Sequence, residues 1–474
     1  MGKARISVQP LGKKPVLLSL SDLSGLSVAS VAPLFSVAAA GSIMLSLAGA
    51  DIIWAVLAIA TPFILSSWLF RMLNQHYPNT GASYHWSRRI LGFGISRYQS
   101  WILMMAYFWS IPPIIIPAAE ESLALVGVTA PPSWLVIIVS GAWIGLSAGL
   151  LLRGSKTVAQ LTKIFMVLEF IAIIIFAIAG VLHWRALPGN HVTPSWHGFV
   201  IAMVVGATIV DGWEIDSYAA EEADYPQKTP GMGGVVGAFM VLAFYLTIFP
   251  LMLHSVSLAQ LVKNPDVLIA WAQALSPHQF RWAIVPIVAS TAGSLWLTTF
   301  ILSKALYAMA RDRILPRFFV TKNSAQSPTW TIVVPLVLGW TIVSLQLLVA
   351  SLASVFNLVL STAGFFLILE FLFDSLSAAV FLTRIHHHGL HGITHQHRGL
   401  QIISYVTTTW FAVVISIFLI YGPAAIGRSI DALVAIMLAG GIIFTFWRFE
   451  GRWRGYHVFN PETRELTIED GEDL

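Results

Sequence analysis

Cysteine is absent from the sequence, and charged residues are scarce. The lack of cysteine excludes disulfide bonds and thiolate metal ligands. Charged residues make up 11% of the chain, against about 25% in a typical soluble domain, and 57% of the residues are hydrophobic. This balance excludes an ordinary soluble protein and predicts an integral membrane protein. Nearly the whole chain is needed for membrane spans, which leaves no room for a second folded domain.

Patterns that indicate catalysis are absent from the apolar segments as well. These segments contain no nucleophile elbow around a serine, no glycine-rich phosphate loop and no set of metal ligands. We therefore expect neither an enzyme activity nor a bound metal or organic cofactor. A membrane enzyme is thus the weakest of the candidate functions.

Long hydrophobic runs dominate the chain instead. Twelve segments match the roughly 20 apolar residues that a helix needs to cross a bilayer. They are too long for strands and show no alternation of polar and apolar residues, so the predicted fold class is an all-α membrane protein. The segments lie near residues 17–46, 50–73, 96–126, 133–152, 159–183, 198–221, 231–255, 282–310, 330–350, 352–383, 401–421 and 428–448.

Basic residues are distributed unevenly between the two sides of these spans. When residues at span ends are assigned to the nearest loop and Lys304, which falls within a span, is excluded, 22 lysines and arginines fall on one side and four on the other. The side rich in lysine and arginine is expected to face the cytoplasm. We therefore expect a multi-pass protein of the inner (cytoplasmic) membrane with both termini in the cytoplasm. The basic charge follows from this topology and does not indicate a nucleic-acid partner.

Three predicted cytoplasmic segments flank or interrupt the spans at 17–383 and 401–449. Residues 1–16 and 450–474 form tails, and the acidic end of the second tail is typical of a solvated segment. Residues 384–400 form a loop with six histidines, for which metal binding, pH sensing and a plain solvated loop all stay open.

The sixth apolar segment contains carboxylates near its middle. Asp211, Glu214 and Asp216 follow an apolar run and surround Gly212. A carboxylate costs roughly 2.5–3.5 kcal/mol at the centre of a spanning helix, so we predict a helix broken at Asp211-Gly212 around a polar cavity. The first segment has a matching interruption at Pro33, which lacks a backbone donor and disfavours helix for the preceding residue. Paired interruptions of this kind indicate a transport site.

Four passages carry recognisable motifs. They read LSDLSGLSVASVAPLFS at 20–36, YPNTGASY at 77–84, GWE at 212–214 with a Glu–Glu pair and a proline after it, and KALYAMARDRILP at 304–316. In this order and with twelve spans, they resemble the amino acid–polyamine–organocation (APC) transporter superfamily. The resemblance implies an amino acid permease with the LeuT-type fold. In that fold, spans 1–5 and 6–10 form two inverted repeats, and spans 11 and 12 lie outside the core.

A site between the two breaks has the chemistry to hold an α-amino acid. The substrate carboxylate needs N–H donors from the half-helix after Pro33, and its ammonium needs carbonyl groups freed at the breaks. For Glu214 the resemblance implies a substrate-ammonium contact or a proton-linked gate, and a carboxylate held by a neighbouring helix terminus is the alternative. Trp213 is either a lid or a packing residue. The predicted substrate-binding residues are Ser30, Val31, Ala32, Pro33, Val210, Asp211, Gly212, Trp213 and Glu214.

Glu169 is the single charge in residues 164–181, roughly 9 Å inside its helix. A carboxylate at this depth must be protonated or partnered. The resemblance places Glu169 where proton-coupled relatives have a lysine. The hydroxyl pair that binds Na⁺ in sodium-coupled relatives falls on Gly293 and Ser294, so one hydroxyl is missing. We therefore predict H⁺ as the coupling ion and Glu169 as the proton-coupling residue. A helix–helix hydrogen bond from a neutral glutamic acid is the alternative.

Two further carboxylates, Glu370 and Asp374, are spaced i, i+4 in the tenth segment and share one helix face. Three interpretations stay open for them. They could form a proton relay, contact a cationic substrate, or pair with Lys304 or Arg311 near the cytoplasmic end.

The expected function is secondary active transport of amino acids by alternating access, driven by proton symport. A polyamine or cationic amino acid transporter or exchanger is the alternative, because several carboxylates near one site suit several ammonium groups. A transporter-like receptor that binds without turnover also stays open. The expected partners are a small-molecule substrate and the lipid bilayer, and the oligomeric state is left open.

Overall fold

A computed structural model describes residues 17–128, 130–185, 187, 195–277, 280–348, 352–387, 396–426, 428–447 and 455–469. Helices make up most of the regular structure in these ranges. The helices are α1 (Leu20–Val31), α2 (Pro33–Ala48), α3 (Ile52–His76), α4 (Ser83–Ile90), α5 (Phe93–Ser110), α6 (Pro112–Leu125), α7 (Ser133–Leu151), α8 (Ser155–Leu182), α9 (Trp196–Val210), α10 (Ile215–Tyr218), α11 (Met232–Ser255), α12 (Leu258–Leu261), α13 (Val267–Leu275), α14 (Ile284–Arg311), α15 (Thr329–Leu347), α16 (Leu352–His387), α17 (Gln396–Ile426) and α18 (Arg428–Phe446).

Many of these helices have the length and composition of membrane spans. In the described part of the chain, nine helical stretches are long and apolar enough to cross a membrane, the first of which runs from Leu20 to His76 through α1, α2 and α3. Two shorter apolar helices are Trp196–Val210 and Ile430–Phe446. Each of the segments predicted from the sequence overlaps at least one described helix. The prediction of a helical multi-pass membrane protein is confirmed, whereas the number of crossings, the inverted repeat and the orientation stay predictions.

The surface of α8 is divided between the protein interior and the outside. The buried residues Glu169, Ala172, Phe176 and Gly180 recur at intervals of three and four, so they share one helix face. Apolar residues such as Ile171 on the remaining surface are exposed. An exposed apolar surface on a long helix suits contact with lipid, while the inner face brings Glu169 to the centre of the bundle.

The first break separates α1 from α2 at Ala32. The backbone of Ala32 has φ 47° and ψ 64°, a left-handed conformation that is uncommon for alanine. Pro33 begins α2 and disfavours the helical conformation in the residue before it. Proline is well tolerated at the first helical position, because the N–H group it lacks would have no partner in the helix. The break predicted from Pro33 is confirmed.

The second break separates α9, which ends at Val210, from α10, which begins at Ile215. Asp211 is extended, and Gly212 has φ 108°, a conformation that favours glycine. The two breaks also touch, because a Cβ on Gly212 would lie 2.9 Å from the carbonyl oxygen of Ser30. Glycine is therefore needed for both the turn and the close approach. The predicted break at Asp211-Gly212 is confirmed.

The broken helices lie in the middle of the bundle. α1 packs against α8 and α11, and α2 packs against α9 and α14. α16 packs against α5 and α9, and α3 also contacts α9 and α11. Helix ends that would be costly in lipid are thus surrounded by protein.

A β-hairpin follows the last helix. Its strands β1 (Tyr456–Asn460) and β2 (Glu465–Glu469) pair antiparallel. Tyr456 and Phe459 of β1 are buried, and the ring of Tyr456 packs against that of His85 on α4 with centroids 5.9 Å apart. The predicted solvated tail is therefore wrong for residues 456–469. We call the end of the bundle that carries this hairpin the hairpin end, and it comprises residues 77–92, 218–231, 311–328 and 456–469.

Candidate transport site

A central cavity lies where the two breaks face α14 and α16. Its wall includes both broken helices, the junction of α5 and α6, and the inner faces of α14 and α16. The lining residues are Ser30, Val31, Phe35, Ser36, Ala39, Ala40, Ser110, Pro113, Ile114, Thr208, Ile209, Asp211, Gly212, Ser294, Thr298, Ile301, Leu360, Ala363 and Leu367.

The cavity combines a few polar groups with a largely apolar wall. Oγ of Ser30 and Oδ1 of Asp211 are buried at the breaks and have no hydrogen-bond partner among the described residues. Phe35, Ile114 and Ile301 are typical of the apolar part of the wall. A buried carboxylate oxygen without a partner suits a ligand ammonium, and the apolar wall suits an apolar ligand side chain.

The predicted substrate-binding residues divide into two groups. Those that line the cavity are Ser30, Val31, Asp211 and Gly212. Those in or beside the breaks that do not line it are Ala32, Pro33, Val210, Trp213 and Glu214. Four of the nine predicted residues thus line the cavity in this conformation, and their role in substrate binding stays a prediction.

Glu214 is fully buried and engaged by protein donors. Its Oε1 accepts a hydrogen bond from the hydroxyl of Tyr107 at 2.7 Å, and its Oε2 accepts one from the N–H of Gly212 at 3.0 Å. These donors belong to α5 and to the break itself rather than to a neighbouring helix terminus, so the role of Glu214 as an ammonium contact or gate stays a prediction. Trp213 packs edge-on against Phe70, with ring centroids 5.1 Å apart. Its indole is thus a packing element in this conformation.

Asp216, the third carboxyl of the second break, is held by the neighbouring helix α11. Oδ2 of Asp216 accepts hydrogen bonds from the N–H groups of Gly231 at 2.7 Å and Gly234 at 2.9 Å, at the start of α11. A carboxylate at a helix N-terminus stabilises that terminus. With Glu214 also engaged, only Asp211 of the three lines the cavity.

Glu169 contacts the beginning of α2, directly after the first break. Its Oε1 accepts hydrogen bonds from the N–H of Leu34 at 2.9 Å and from the hydroxyl of Ser290 at 2.6 Å. Ser290 Oγ in turn accepts the N–H of Phe35 at 3.0 Å. These are two of the donors that we expected to hold a substrate carboxylate. A carboxylate of the protein therefore occupies the position predicted for one from the substrate.

Ser290 is a site residue that the sequence did not single out. The expected hydroxyl pair fell on residues 293 and 294, whereas Ser290 lies one helical turn earlier. Ser290 and Ser294 are spaced i, i+4 on α14, and Ser294 lines the cavity. This spacing was the available signal.

Ion pairs join the helices near the hairpin end. Asp22, one turn into α1, accepts hydrogen bonds from Lys156 at 2.6 Å and Lys163 at 2.7 Å on α8. The backbone N–H of Leu18 also donates to the carbonyl of Glu222 at 2.9 Å. α1 is thus attached to α8 and to the segment after the second break.

Two acidic residues after the second break pair with α14. Arg311 donates to both carboxylate oxygens of Glu221 at 3.0 and 2.8 Å, and Lys304 pairs with Glu222. Burial raises the pKa of the Glu222 carboxyl, but the charge and hydrogen bond of Lys304, together with Ser155 and Lys322, hold that pKa below its ordinary value. Because Lys304 and Arg311 pair here, the ion pair proposed between them and the carboxylates of α16 is not formed.

Metal binding has no support in the described part of the chain. Among those residues no group of three or more histidine, aspartate or glutamate side chains could hold a metal ion. Residues 388–395, the centre of the predicted His-rich loop, lie outside the described residues.

The fold and the cavity define a transport protein, and comparison with known proteins agrees. The family model described as "Amino acid permease" matches residues 18–447, so the chain belongs to the amino acid permease family. The chain is also similar to the "Branched-chain amino acid permease BcaP" of Lactococcus lactis subsp. cremoris (strain MG1363). The two are 22% identical over 352 residues, which cover 68% of this chain and 75% of the relative. These matches confirm the resemblance seen in the sequence and identify an amino acid transporter rather than an enzyme.

Proposed function

We propose that this permease carries apolar α-amino acids across the cytoplasmic membrane together with protons, by alternating access and with both termini in the cytoplasm. The observation that carries this proposal is the buried, unpartnered oxygen of Asp211 in a cavity between two broken helices. The apolar wall of that cavity supports an aliphatic substrate side chain, and so does the similarity to a protein named as a branched-chain amino acid permease.

Asp211 is the proposed contact for the substrate ammonium. Its Oδ1 would gain a charge-assisted hydrogen bond, which contributes about 1.5–3 kcal/mol in a buried site. Ser30 Oγ is a second unpartnered polar atom of the cavity wall. An aliphatic side chain would then lie against Phe35 and Ile301. One carboxylate for the ammonium and a largely apolar wall for the side chain are therefore sufficient to bind an aliphatic amino acid at these two groups.

Glu169 is the proposed proton-coupling residue. An ionised Glu169 holds the N–H of Leu34 and repels a second carboxylate at the start of α2. A protonated Glu169 accepts hydrogen bonds more weakly, so the N–H group becomes available to the substrate carboxylate. Binding of a proton and binding of an amino acid therefore favour each other, which is the reciprocal linkage that symport needs.

Alternating access requires that one end of the bundle opens while the other closes. The ion pairs of Asp22, Glu221 and Glu222 close the hairpin end in this conformation. We propose that these pairs separate when the cavity opens to the cytoplasm. The two breaks provide the hinges, because the non-helical residues between half-helices can change dihedral angles without loss of helical hydrogen bonds.

Transport of a polyamine or cationic amino acid is the second candidate. It is motivated by the acidic residues of the second break. It has weaker support, because Asp216 and Glu214 are bonded to backbone N–H groups and only Asp211 lines the cavity.

Uptake into proteoliposomes tests the proposal. Labelled leucine, isoleucine, valine, arginine and putrescine are offered with and without an inward proton gradient. We expect the aliphatic amino acids to accumulate only with the gradient. Uptake that depends on preloaded substrate, or that is confined to arginine and putrescine, would replace the proposal by a cationic-substrate exchanger. Binding without accumulation would indicate a receptor.

A further inference from the structure

A pair of carboxyl groups on α16 lies beside the site, and neither group forms an ion pair with a lysine, arginine or histidine of the described residues. Glu370 and Asp374 are 0% and 1% exposed and stand one helical turn apart on the same face. They are close enough for a carboxyl–carboxylate hydrogen bond when one of them carries a proton. Neither oxygen of Glu370 meets a donor within the described residues, and Asp374 Oδ1 meets none either.

The surroundings of this pair are neutral or acidic. Asp374 Oδ2 accepts a hydrogen bond from Ser83 Oγ at 2.8 Å, and Ser83 Oγ accepts one from Tyr218 at 3.1 Å. The charged groups with the strongest influence on Glu370, apart from Asp374, are Glu214 and Asp211. The titratable groups that face the pair are therefore Tyr218 from α10, Tyr107 from α5, and the two carboxyls of the second break. None of them is a cation.

Two ionised carboxylates cannot remain side by side in such a place. Each buried charge costs several kcal/mol, and adjacent like charges repel strongly at low dielectric constant. The usual solution is that the two groups share a proton, as carboxylate pairs in active sites do. A fully buried Glu370 without a donor is an independent sign that a ligand is needed, and a proton is the smallest ligand that fits without a cavity.

The pair is also connected to the second break. Glu214 accepts the hydroxyl of Tyr107, whose ring contacts that of Tyr218 edge-on with centroids 6.1 Å apart. Tyr218 then leads through Ser83 to Asp374. The hydrogen bonds thus connect Asp374 through Ser83 to Tyr218 on α10, the short helix that follows the second break, and Tyr218 meets Tyr107 by ring contact.

We infer that Glu370 and Asp374 form a second proton-binding site, separate from Glu169, and that Ser83 and Tyr218 connect it to the second break. The inference rests on the proposed function and deepens it. The site takes up a proton when the break faces one side of the membrane and releases it towards the other. The transporter then moves at least one proton more per amino acid than Glu169 alone would carry.

The number of protons per amino acid is the decisive measurement. In proteoliposomes without a membrane potential, the equilibrium accumulation of leucine is measured against the imposed pH difference. For Glu370→Gln we expect about one proton fewer, which lowers accumulation about tenfold for each pH unit of gradient. Asp374→Asn serves as the second variant if the first does not fold. Glu462→Gln, an exposed carboxyl in the hairpin turn, is the matched control and should retain the wild-type slope.

Ser83→Ala separates the path from the site. Removal of the hydroxyl interrupts the line from Tyr218 to Asp374, so we expect slower gradient-driven uptake but unchanged equilibrium accumulation. If Ser83 had only a structural role, its loss would not lower the uptake rate while leaving the equilibrium accumulation unchanged.

Infrared spectroscopy tests the site without transport. The C=O stretching band of a protonated carboxyl should be present in the wild type at neutral pH and weaker in Glu370→Gln, but unchanged in Glu462→Gln. A wild-type slope and an unchanged band in both α16 variants would overturn the inference. Selective loss of putrescine or arginine uptake would also overturn it and make the pair a substrate contact. If the wild type shows no proton-driven uptake, the proposed function fails, while the band still reports whether the pair holds a proton.

Discussion

Single residues in this protein compete for a small number of backbone donors. The N–H groups at the start of α2 are bonded to Glu169 and Ser290, although their position next to a cavity suits a substrate carboxylate. Asp211 presents the reverse case, a carboxylate oxygen without a donor. The cavity therefore has an acceptor without a donor at the second break, whereas the donors at the first break are already bonded to the protein. A zwitterion plus a proton would satisfy both breaks at once.

Glu169→Gln isolates the proton from the hydrogen bond. The amide oxygen can still accept the N–H of Leu34, but the side chain can no longer bind and release a proton at physiological pH. We expect proton-driven accumulation of leucine to be lost while leucine counterflow persists. Driven uptake equal to that of the wild type would remove Glu169 from the coupling mechanism. Loss of counterflow as well would indicate a folding or binding defect instead.

Asp211→Asn tests the ammonium contact. The loss of a charge-assisted hydrogen bond of about 1.5–3 kcal/mol corresponds to binding that is about 10- to 100-fold weaker. Isothermal titration calorimetry in detergent measures the dissociation constant of leucine for each variant and the wild type. Glu214→Gln preserves the size of a carboxyl that does not line the cavity, so we expect a smaller change in affinity. An equal loss in both variants would show that the affinity does not depend on which carboxyl reaches the cavity.

At the scale of elements, the two breaks and the hairpin differ in how far the sequence reveals them. Pro33 and Gly212 each act through local backbone geometry, so the sequence was sufficient to locate both breaks. The hairpin could not be predicted in the same way. Its stability depends on contacts with residues more than 140 positions away, such as the hydrogen bond from the N–H of His457 to Asp312 at 2.9 Å. The acidic residues at the end of the chain led to the prediction of a solvated tail, although the aromatic residues before them are buried.

Arg464→Ala should loosen the hairpin from the bundle. Arg464 donates to the carbonyl oxygens of Ala223 at 2.8 Å and Glu221 at 3.1 Å. Their removal should weaken docking by about 1–2 kcal/mol, since the side chain is partly exposed to water. Hydrogen exchange should show faster exchange of hairpin amides, whereas Lys228→Ala, at an exposed position, should leave them unchanged. Equal exchange in both variants would contradict the proposed contact.

α4 should make stability depend on pH. Burial lowers the pKa of His85 to about 3, with further contributions from Arg89 and Arg311. The unfolded chain binds this proton near pH 6.5, so the folded state loses stability as the pH falls from about 6.5 towards 3. The melting temperature in detergent should therefore fall less steeply with acidification in His85→Gln than in the wild type. Parallel pH profiles would mean that His85 is protonated in the folded protein.

At the scale of the whole molecule, hydrophobic length was enough to predict a helical multi-pass membrane protein. Long-range pairing was not predictable. The sequence offered Lys304 and Arg311 as partners for Glu370 and Asp374, but the structure pairs them with Glu222 and Glu221. Which acidic residue meets which basic one depends on the register of packed helices, and hydrophobicity alone does not specify that register. The same limitation hid the contact between Ser290 and Glu169.

The absence of cysteine makes the orientation directly testable. Lys228 and Lys263 are both exposed, and the distribution of basic residues predicts that Lys228 is cytoplasmic and Lys263 external. A membrane-impermeant thiol reagent added to intact cells should label Lys263→Cys and not Lys228→Cys. After the membrane is permeabilised, both should react. Labelling of Lys228→Cys alone in intact cells would show that the topology is the inverse of the predicted one.

The bond between Glu169 and Leu34 has a consequence for biosynthesis. It joins residues 135 positions apart, and it satisfies an N–H group that has no helical partner. When α2 leaves the ribosome, the acceptor on α8 has not yet been translated. An unsatisfied N–H in lipid costs several kcal/mol, so we expect α2 to stay in a hydrated or protein-shielded environment until α8 has been synthesised. Assembly of α1 to α8 is therefore expected to be a single late event rather than a stepwise insertion.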